Sequence, residues 1–373
     1  MVRRYQGALV QVFRRGVFLS DGRLQVQHVD VRSMYPTIMI VFNLSPENVQ
    51  LVDRRAYTGN YRFGAELLEV PDSYHGQLVL RVGQQDSVTR RFLVDLYRLR
   101  LRLKAAAKKG DVLAESREKA VKLLMNQIYG YHGLEFSRYG SFLVAIATTA
   151  IGRYIMNLIL DVARENGALP LECDTDGIYV YGAAGLADKV NERLQRVFGG
   201  FKFSDWLRVE SKVYDGIIVF KCKNYILRDG DRLIVKGSGF KGRHFPPVCD
   251  YAVKRFAWAV FRGENFADVW GEFRDLRRFP LKMFTMNVSL RKADYEDSTL
   301  YARLMERLPP SFKGEEVYFV KCVDGYFPLG VRSDDELRRM LDVEYYRERI
   351  REVVNRVLEP VRESQQKSLW RWM

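Results

Sequence analysis

Acidic residues fall at two places where the sequence predicts β-strands to end. The segments GALVQVF and LQVQHVDV, separated by a turn-forming pair, predict strands that place Asp30 at a strand terminus. The segments PLECD and GIYVYG predict a second strand pair, with DTDG at the tight turn between them. Asp174 and Asp176 are therefore expected at a hairpin tip. A plain turn would also explain DTDG by itself, because Asp and Gly favour turns for local reasons.

Helices are predicted on both sides of a short turn at Gly110 and Asp111. The first spans about 87–109 and the second ends near Gly130, so together they form a helical hairpin. A short helix is expected to start at Pro36. Further helices are predicted at about 138–166 and 184–198, and residues from about 250 onward are expected to be mostly helical.

The helical hairpin carries a set of polar and basic side chains. On its second helix Lys122, Asn126 and Tyr129 lie at i, i+4 and i+7, and therefore share one face. On its first helix Arg98 and Arg102 are four residues apart. The segment RLRLRLK places arginines on alternate residues, so they cannot all face one ligand. We therefore expect some of them, including Arg100, to be surface charges.

The composition indicates a globular chain whose positive charge fits either a polyanionic partner or a basic, thermophile-like surface. The 373 residues are 47% hydrophobic and carry a formal net charge of +14, which suits a partner rich in phosphate. The four cysteines lie far apart, so neither a disulfide framework nor a zinc site is predicted. No apolar run is expected to be long enough for a membrane span. These features predict a soluble, cytoplasmic and nucleoid-associated protein with no membrane partner.

Three stretches, DVRSMYP at 30–36, KLLMNQIYG at 122–130 and ECDTDG at 172–177, occur once each and in this order. They resemble the A, B and C motifs of family B DNA polymerases, in the archaeal form. The resemblance implies an α+β right-hand fold with an antiparallel-sheet palm, helical-hairpin fingers and a mostly helical thumb. The implied boundaries are palm at 1–85 and 133–248, fingers at 86–132, thumb at 249–362 and a tail at 363–373.

The resemblance implies template-directed DNA synthesis with two Mg²⁺ ions, for which Mn²⁺ is a possible substitute. The implied metal ligands are Asp30, Val31 and Asp176, with Asp174 as a secondary carboxylate. The implied contacts to the incoming deoxynucleotide are made by Tyr35, Arg98, Arg102, Lys122, Asn126 and Tyr129. Tyr35 would lie under the sugar and exclude a ribose 2′-hydroxyl. A buried core tyrosine is the alternative interpretation of that position.

Further stretches extend the resemblance over nearly the whole chain. YQGA at 5–8, KCKNY at 221–225 and KGSGFKGRHFPP at 236–247 resemble segments that contact primer-template DNA. The implied DNA contacts are Tyr5, Gly7, Lys223, Tyr225, Lys236 and Arg243. The tail QKSLWRWM has the spacing of a sliding-clamp peptide, with Gln366, Leu369, Trp372 and Met373 as its anchors. Packing of the tail on the thumb is the alternative.

Two motif positions depart from the family pattern: Glu172 replaces a tyrosine and Gln127 replaces a serine. Glu172 adds an expected negative charge near the metals or the primer end. The chain also starts almost at the YQGA segment, whereas relatives carry an N-terminal domain and an exonuclease before it. We therefore expect either a polymerase without proofreading or the C-terminal half of a split enzyme with a separate partner chain. A catalytically inactive scaffold that binds DNA or a clamp is a further alternative.

Overall fold

A computed structural model describes residues 4–134, 136–201, 206–240, 244–289, 299–309, 312 and 316–369, with the backbone alone at 200, 299, 301, 302 and 364–369. The described chain forms two compact units. The first comprises Met1–Arg14 and Ser20–Val213, and the second comprises Arg15–Leu19 and Tyr214–Met373. Each unit has a hydrophobic core of its own.

Within its described residues, the first unit combines two sheets with five α-helices. Its strands are β1 (Val10–Val12), β3 (Gln25–Val31), β4 (Val49–Arg55), β5 (Arg62–Phe63), β6 (Leu67–Asp72), β7 (Gly76–Val82), β8 (Leu169–Asp174), β9 (Gly177–Gly182) and β10 (Val209–Tyr214). Its helices are α1 (Met34–Val41), α2 (Val88–Lys108), α3 (Val112–His132), α4 (Phe142–Glu165) and α5 (Leu186–Phe198). The strand β2 (Gly16–Leu19) belongs to the second unit.

A five-stranded sheet in the order β1-β8-β9-β3-β10 carries the predicted acidic positions. The pairs β1/β8, β8/β9 and β9/β3 are antiparallel, so the β8–β9 turn and the end of β3 meet at one edge. This confirms the predicted strand end at Asp30 and the predicted hairpin at DTDG. A second sheet, β4-β7-β6-β5, is formed by strands within residues 49–82, for which no secondary structure was predicted from the sequence.

The helix α4 forms the centre of the first unit and packs against α1, α3, α5 and β6. By length and composition alone it could cross a membrane, which corrects the expectation that no stretch was apolar enough. However, 83% of its most apolar window is buried inside the protein, as is typical of a core helix. Its start is capped by Ser141, whose side chain accepts a hydrogen bond from the Val144 N–H.

The helices α2 and α3 form the predicted hairpin and pack along each other. Both begin at side-chain caps, because Ser87 accepts a hydrogen bond from Arg90 N–H and Asp111 accepts one from Ala114 N–H. Gly110 precedes Asp111 with a φ of +95°, which an L side chain rarely adopts, and this fixes the turn between the helices.

The second unit contains two sheets and the remaining helices. Its other strands are β11 (Gly216–Lys221), β12 (Asn224–Asp229), β13 (Arg232–Lys236), β14 (Met286–Ser289), β15 (Glu316–Cys322) and β16 (Gly325–Pro328). Its helices are α6 (Pro247–Arg262), α7 (Phe266–Gly271), α8 (Thr299–Met305), α9 (Asp334–Met340) and α10 (Val343–Leu369). The sheet orders are β13-β12-β11-β2 and β14-β15-β16. The sequence did not predict the second of these sheets.

Candidate active site

The five-stranded sheet brings the acidic residues together at its edge. Asp30 on β3 and Asp174 on β8 are both paired across strands with Gly177 on β9, one from each side. Asp176 lies in the two-residue turn between β8 and β9, and its backbone carbonyl accepts a hydrogen bond of 2.8 Å from the Val31 N–H. The turn is thereby tied to the end of β3. All three carboxylates therefore occupy one strand rim.

The two principal carboxylates are electrostatically coupled. Burial raises the pKa of Asp30, while the cations Lys122, Arg100 and Lys104 act in the opposite direction. Although Asp176 is exposed at its turn, desolvation by the surrounding protein, followed by the charge of Asp30, raises its pKa to about 6. A partly desolvated carboxylate whose proton affinity is raised by a neighbouring carboxylate forms, with that neighbour, a site that a cation would stabilise.

His28 and Gly177 lie immediately behind the carboxylates. The His28 ring stacks on Tyr179 with centroids 4.4 Å apart, and desolvation lowers the pKa of His28 to about 4. A Cβ at Gly177 would lie 2.4 Å from His28 Nε2 and 3.1 Å from Asp30 Oδ1. The glycine of the DTDG turn is therefore required by close approach as well as by the turn.

Three cations face the carboxylates from the helical hairpin. One of them, Arg100, was expected from the sequence to be a surface charge. Arg100 is not a surface charge: its side chain is 12% exposed, and its Nε donates a 2.7 Å hydrogen bond to Glu118. Arg100 also donates to the Ser33 hydroxyl, next to the start of α1. Lys104, one turn further along α2, is half-buried, and desolvation followed by the charges of neighbouring cations lowers its pKa.

A pattern in α2 could have identified these cations. Leu93 and Tyr97 form its buried face, and Arg100 and Lys104 continue that face at spacings of three and four residues. Arg98 and Arg102, which the sequence favoured, occupy exposed positions of the same helix. Their contact with a nucleotide stays a prediction. On α3 both Lys122 and Asn126 are exposed, and Tyr129 is half-buried.

Three tyrosines from distant parts of the chain form a contiguous row. The rings of Tyr35 and Tyr129 have centroids 4.4 Å apart, and the Tyr129 hydroxyl lies 3.1 Å from that of Tyr5. Burial raises the pKa of Tyr35 above its ordinary value, so its hydroxyl stays protonated. Gly152 allows α4 to approach, because a Cβ there would lie 3.1 Å from the Tyr35 ring. Tyr35 is half-buried, so it is not a simple core residue.

The segment that contains Tyr5 and Gly7 is anchored by a buried arginine. Arg153 on α4 is 5% exposed and donates hydrogen bonds to the carbonyls of Gln6 and Gly7, at 2.6 and 2.9 Å. It also donates to the Pro71 carbonyl at 2.8 Å. A buried guanidinium group held by three carbonyls fixes the position of this segment, and hence of Tyr5. The sequence alone assigned no role to Arg153.

The remaining motif residues of the first unit are also located. Asp174 is half-buried and accepts a 3.0 Å hydrogen bond from the Thr175 hydroxyl. Glu172 is fully buried on β8, opposite Tyr179 on β9, in the row behind the carboxylates. Gln127 is exposed and lines an apolar cleft of about 410 Å³ on the helical hairpin.

The predicted DNA contacts of the second unit lie on one hairpin and its neighbour. Lys223 is exposed at the β11–β12 turn with a φ of +58°, and Tyr225, which follows on β12, is 8% exposed. Tyr225 is paired across strands with the exposed Lys236 on β13. Arg243 lies outside the described residues, as do Trp372 and Met373 of the tail. The helix α10 includes Gln366 and Leu369, whose side chains are also outside the described part.

The donor set at the strand rim fits magnesium. Asp30 and Asp176 offer carboxylate oxygens, and Val31, whose side chain is apolar and buried, can offer only its backbone oxygen. Among the described residues no group of three or more His, Cys, Asp or Glu side chains could hold a metal ion. Mg²⁺ commonly binds through one or two carboxylates and completes its shell with water and substrate phosphates. The arrangement therefore suits an ion shared with a phosphate ligand.

Comparison with known proteins gives consistent results. Residues 1–361 match the model of DNA polymerase family B. The chain is 29% identical to a DNA polymerase of Archaeoglobus fulgidus over 240 residues, which cover 62% of this chain and 28% of that protein. It is 26% identical to DNA polymerase 1 of Aeropyrum pernix over 374 residues, which cover 92% of this chain and 36% of that one. The chain thus spans about a third of the length of these relatives.

A solved structure supports the fold. The family B DNA polymerase of the hyperthermophilic archaeon Pyrobaculum calidifontis matches with a TM-score of 0.64 and 20% identity, over 96% of this chain and 47% of that one. Like that neighbour, the described chain mixes helices and sheets. Because the family model covers nearly all of its residues, the chain belongs to DNA polymerase family B.

Proposed function

We propose that this chain carries out DNA-directed DNA synthesis, extending a primer with deoxynucleoside triphosphates. The observation that carries the proposal is the meeting of Asp30 and Asp176 at one strand rim, with three cations facing them from α2 and α3. Nucleotidyl transfer needs charge neutralisation and positioning more than covalent participation of the protein. This site offers both.

Asp30 and Asp176, with the carbonyl of Val31, would hold two Mg²⁺ ions, and Mn²⁺ could replace them. The ions would neutralise the triphosphate and assist attack by the primer 3′ oxygen. Lys122, Arg100 and Lys104 would bind the triphosphate oxygens, because their charges already act on Asp30. Arg98, Arg102 and Asn126 remain further candidates for nucleotide contact, and Asp174 for a secondary carboxylate.

The tyrosine row would determine which sugar is accepted. Tyr35 is held from one side by Tyr129 and from another by α4, where Gly152 permits close packing. A tyrosine constrained in this way cannot move aside for an extra hydroxyl, so Tyr35 would exclude ribonucleotides. Arg153 would keep Tyr5 in place for contact with the template, because it anchors the backbone next to Tyr5.

The proposed layout assigns residues 1–85 and 133–248 to the palm, 86–132 to the fingers, 249–362 to the thumb and 363–373 to a clamp-binding tail. Lys223, Tyr225, Lys236 and Arg243 would contact the primer-template. The proposed partners are DNA, deoxynucleotides, a sliding clamp and a separate chain with exonuclease or N-terminal domains. We also propose a cytoplasmic, nucleoid-associated location.

The test is extension of a primed DNA template by the purified chain with four deoxynucleotides and Mg²⁺. Asp176→Asn serves as the control, because it removes one carboxylate charge and keeps the side-chain shape. Extension that disappears in the control supports the proposal. No extension by the unaltered chain, with duplex binding intact, would refute independent synthesis and favour either a split enzyme or a DNA-binding scaffold.

A further inference from the structure

A basic cleft in the second unit has no part in the function proposed above. It lies between the segment 267–276, which begins within α7, and the first turns of α10, and has a volume of about 320 Å³. This is at the lower end of the range of roughly 300–1,000 Å³ typical of ligand sites. Trp270, Phe273 and Ile350 contribute apolar lining, and none of the nine described lining residues is acidic.

Three arginines line the same cleft, and two of them form no ion pair with any described residue. Arg347 forms an ion pair with Glu344 and donates a hydrogen bond to the Arg274 carbonyl at 3.3 Å, so it links α10 to the facing segment. Neither Arg274 nor Arg351 makes a side-chain hydrogen bond or ion pair within the residues that the structure describes, and both are exposed. Two unneutralised guanidinium groups at a cleft are suited to phosphate oxygens.

The aromatic side of the cleft is held in place from behind. The Trp270 ring packs on Phe256, with centroids 4.8 Å apart, and on Phe273, with centroids 6.3 Å apart. Trp270 itself is half-buried, so part of the indole remains accessible. A fixed aromatic surface beside free arginines is the combination that binds single-stranded nucleic acid, through base stacking and phosphate contact.

We propose that this cleft binds one unpaired nucleotide of a single-stranded nucleic acid, with the base against Trp270 and phosphate oxygens on Arg274 and Arg351. The cleft uses no residue of the candidate active site, so the proposal goes beyond extension of a primer. A nucleic-acid strand in this cleft would be bound without base pairing to another strand. The ligand class follows from the joint presence of aromatic surface and unpaired cations.

The test measures quenching of tryptophan fluorescence by a 12-nucleotide single-stranded DNA, without primer or deoxynucleotides. The site-specific signal is the part of the quenching that Trp270→Phe removes, since phenylalanine keeps the packing on Phe256. An abasic strand of equal length should give a weaker Trp270-dependent signal, because stacking contributes roughly 1–3 kcal/mol per base, or about 5- to 150-fold in affinity. The binding assay involves no DNA synthesis, so a negative result in it can be distinguished from a negative result in the primer-extension assay.

Two matched pairs of variants separate shape from charge. A Cβ at Gly271 would meet no atom within 4 Å, so Gly271→Met should fill the cleft without strain and lose the signal, whereas Gly271→Ala should keep it. Arg351→Gln should weaken binding roughly tenfold and reduce the salt slope by about 0.7. Arg277→Gln, an exposed arginine outside the lining, should change neither.

Several results would overturn the proposal. Quenching that is the same in Trp270→Phe as in the unaltered chain would show that no strand contacts this tryptophan. Equal binding by Gly271→Met and Gly271→Ala would exclude the cleft. A strand that binds no more tightly than deoxyadenosine monophosphate, or no more tightly than a duplex, would refute the assignment to single strands.

Discussion

Replacing Asp176 with Asn should abolish synthesis and yet stabilise the metal-free protein at neutral pH. Folding moves this carboxylate next to Asp30 and partly removes it from water, and its pKa rises from 3.8 to about 6. The ionised form is thus disfavoured in the folded state relative to the unfolded chain. Asparagine keeps the shape of the side chain and carries no charge, so it removes this cost.

The magnitude follows from the size of the shift. A rise from 3.8 to about 6 corresponds to about 3 kcal/mol at pH values above both. Because Asp176 is exposed at its turn, solvent screening reduces this to roughly 1–2 kcal/mol. For a unit of about 200 residues, that increase in the free energy of unfolding corresponds to an increase in Tm of about 2–8 °C.

The pH dependence provides an internal check. Well below pH 4, Asp176 does not destabilise the folded protein. Its destabilising effect grows as the pH rises from 3.8 to about 6 and is complete above that range. His28 has the opposite linkage: its pKa is lowered to about 4, so it costs stability as the pH falls below about 6.5. The two effects oppose each other in the unaltered protein, but His28 is present in both proteins, and the largest cause of its lowered pKa, desolvation, does not depend on the charge of Asp176. The difference between the variants therefore reports mainly on Asp176.

The assay is calorimetric unfolding of both proteins in chelator at pH 7.5 and pH 4.0. Asp176→Asn should unfold at the higher temperature at pH 7.5, and the difference should shrink at pH 4.0. Added Mg²⁺ should raise the Tm of the unaltered chain more than that of the variant. A variant that is equally or less stable at pH 7.5 would show that Asp176 is not strained by its surroundings, and the electrostatic argument would fail.

Three further predictions concern the same site. Gly177→Ser should reduce the rate of primer extension at least tenfold, because its Cβ would clash with His28, and a second change, His28→Ala, should restore part of the rate. In steady-state kinetics Arg100→Gln should raise the KM for deoxynucleotides roughly tenfold, whereas Arg98→Gln should alter it by less than about twofold; the reverse order would restore the assignment made from sequence. Tyr35→Ala should incorporate ribonucleotides in a competition assay, and no gain would contradict its role in sugar selection.

The sequence predicted the parts of the site that depend on local chemistry. The DTDG turn, the strand end at Asp30 and the helices on either side of Gly110 follow from residues within a few positions of one another, and all are present. The choice between Arg98 and Arg100 depended instead on which face of α2 packs inward. That is a tertiary property, visible only through the continuation of the buried positions Leu93 and Tyr97.

Other features could not be predicted because their partners lie far away in the chain. Arg153 is buried in an otherwise apolar helix, and its charge is tolerated only because carbonyls from residues 6, 7 and 71 surround it. In the sheet β14-β15-β16, β14 pairs with β15 although α8 lies between them in the chain, whereas the sequence from about residue 250 onward favoured helices. The second sheet of the first unit was missed because its strands lack clean alternation, as in the burial pattern of β6.

The strand β2 has a consequence for how the chain is made. Gly16 pairs with Val219, about 200 residues later, so an early strand completes the edge of a late sheet. At a synthesis rate of roughly 5–20 residues per second, β2 waits about 10–40 s for its neighbour β11 to leave the ribosome. Residues 214–373 cannot therefore be excised as a self-sufficient fragment, because β11 would expose an unpaired edge prone to aggregation. The second unit therefore includes a strand from the start of the chain.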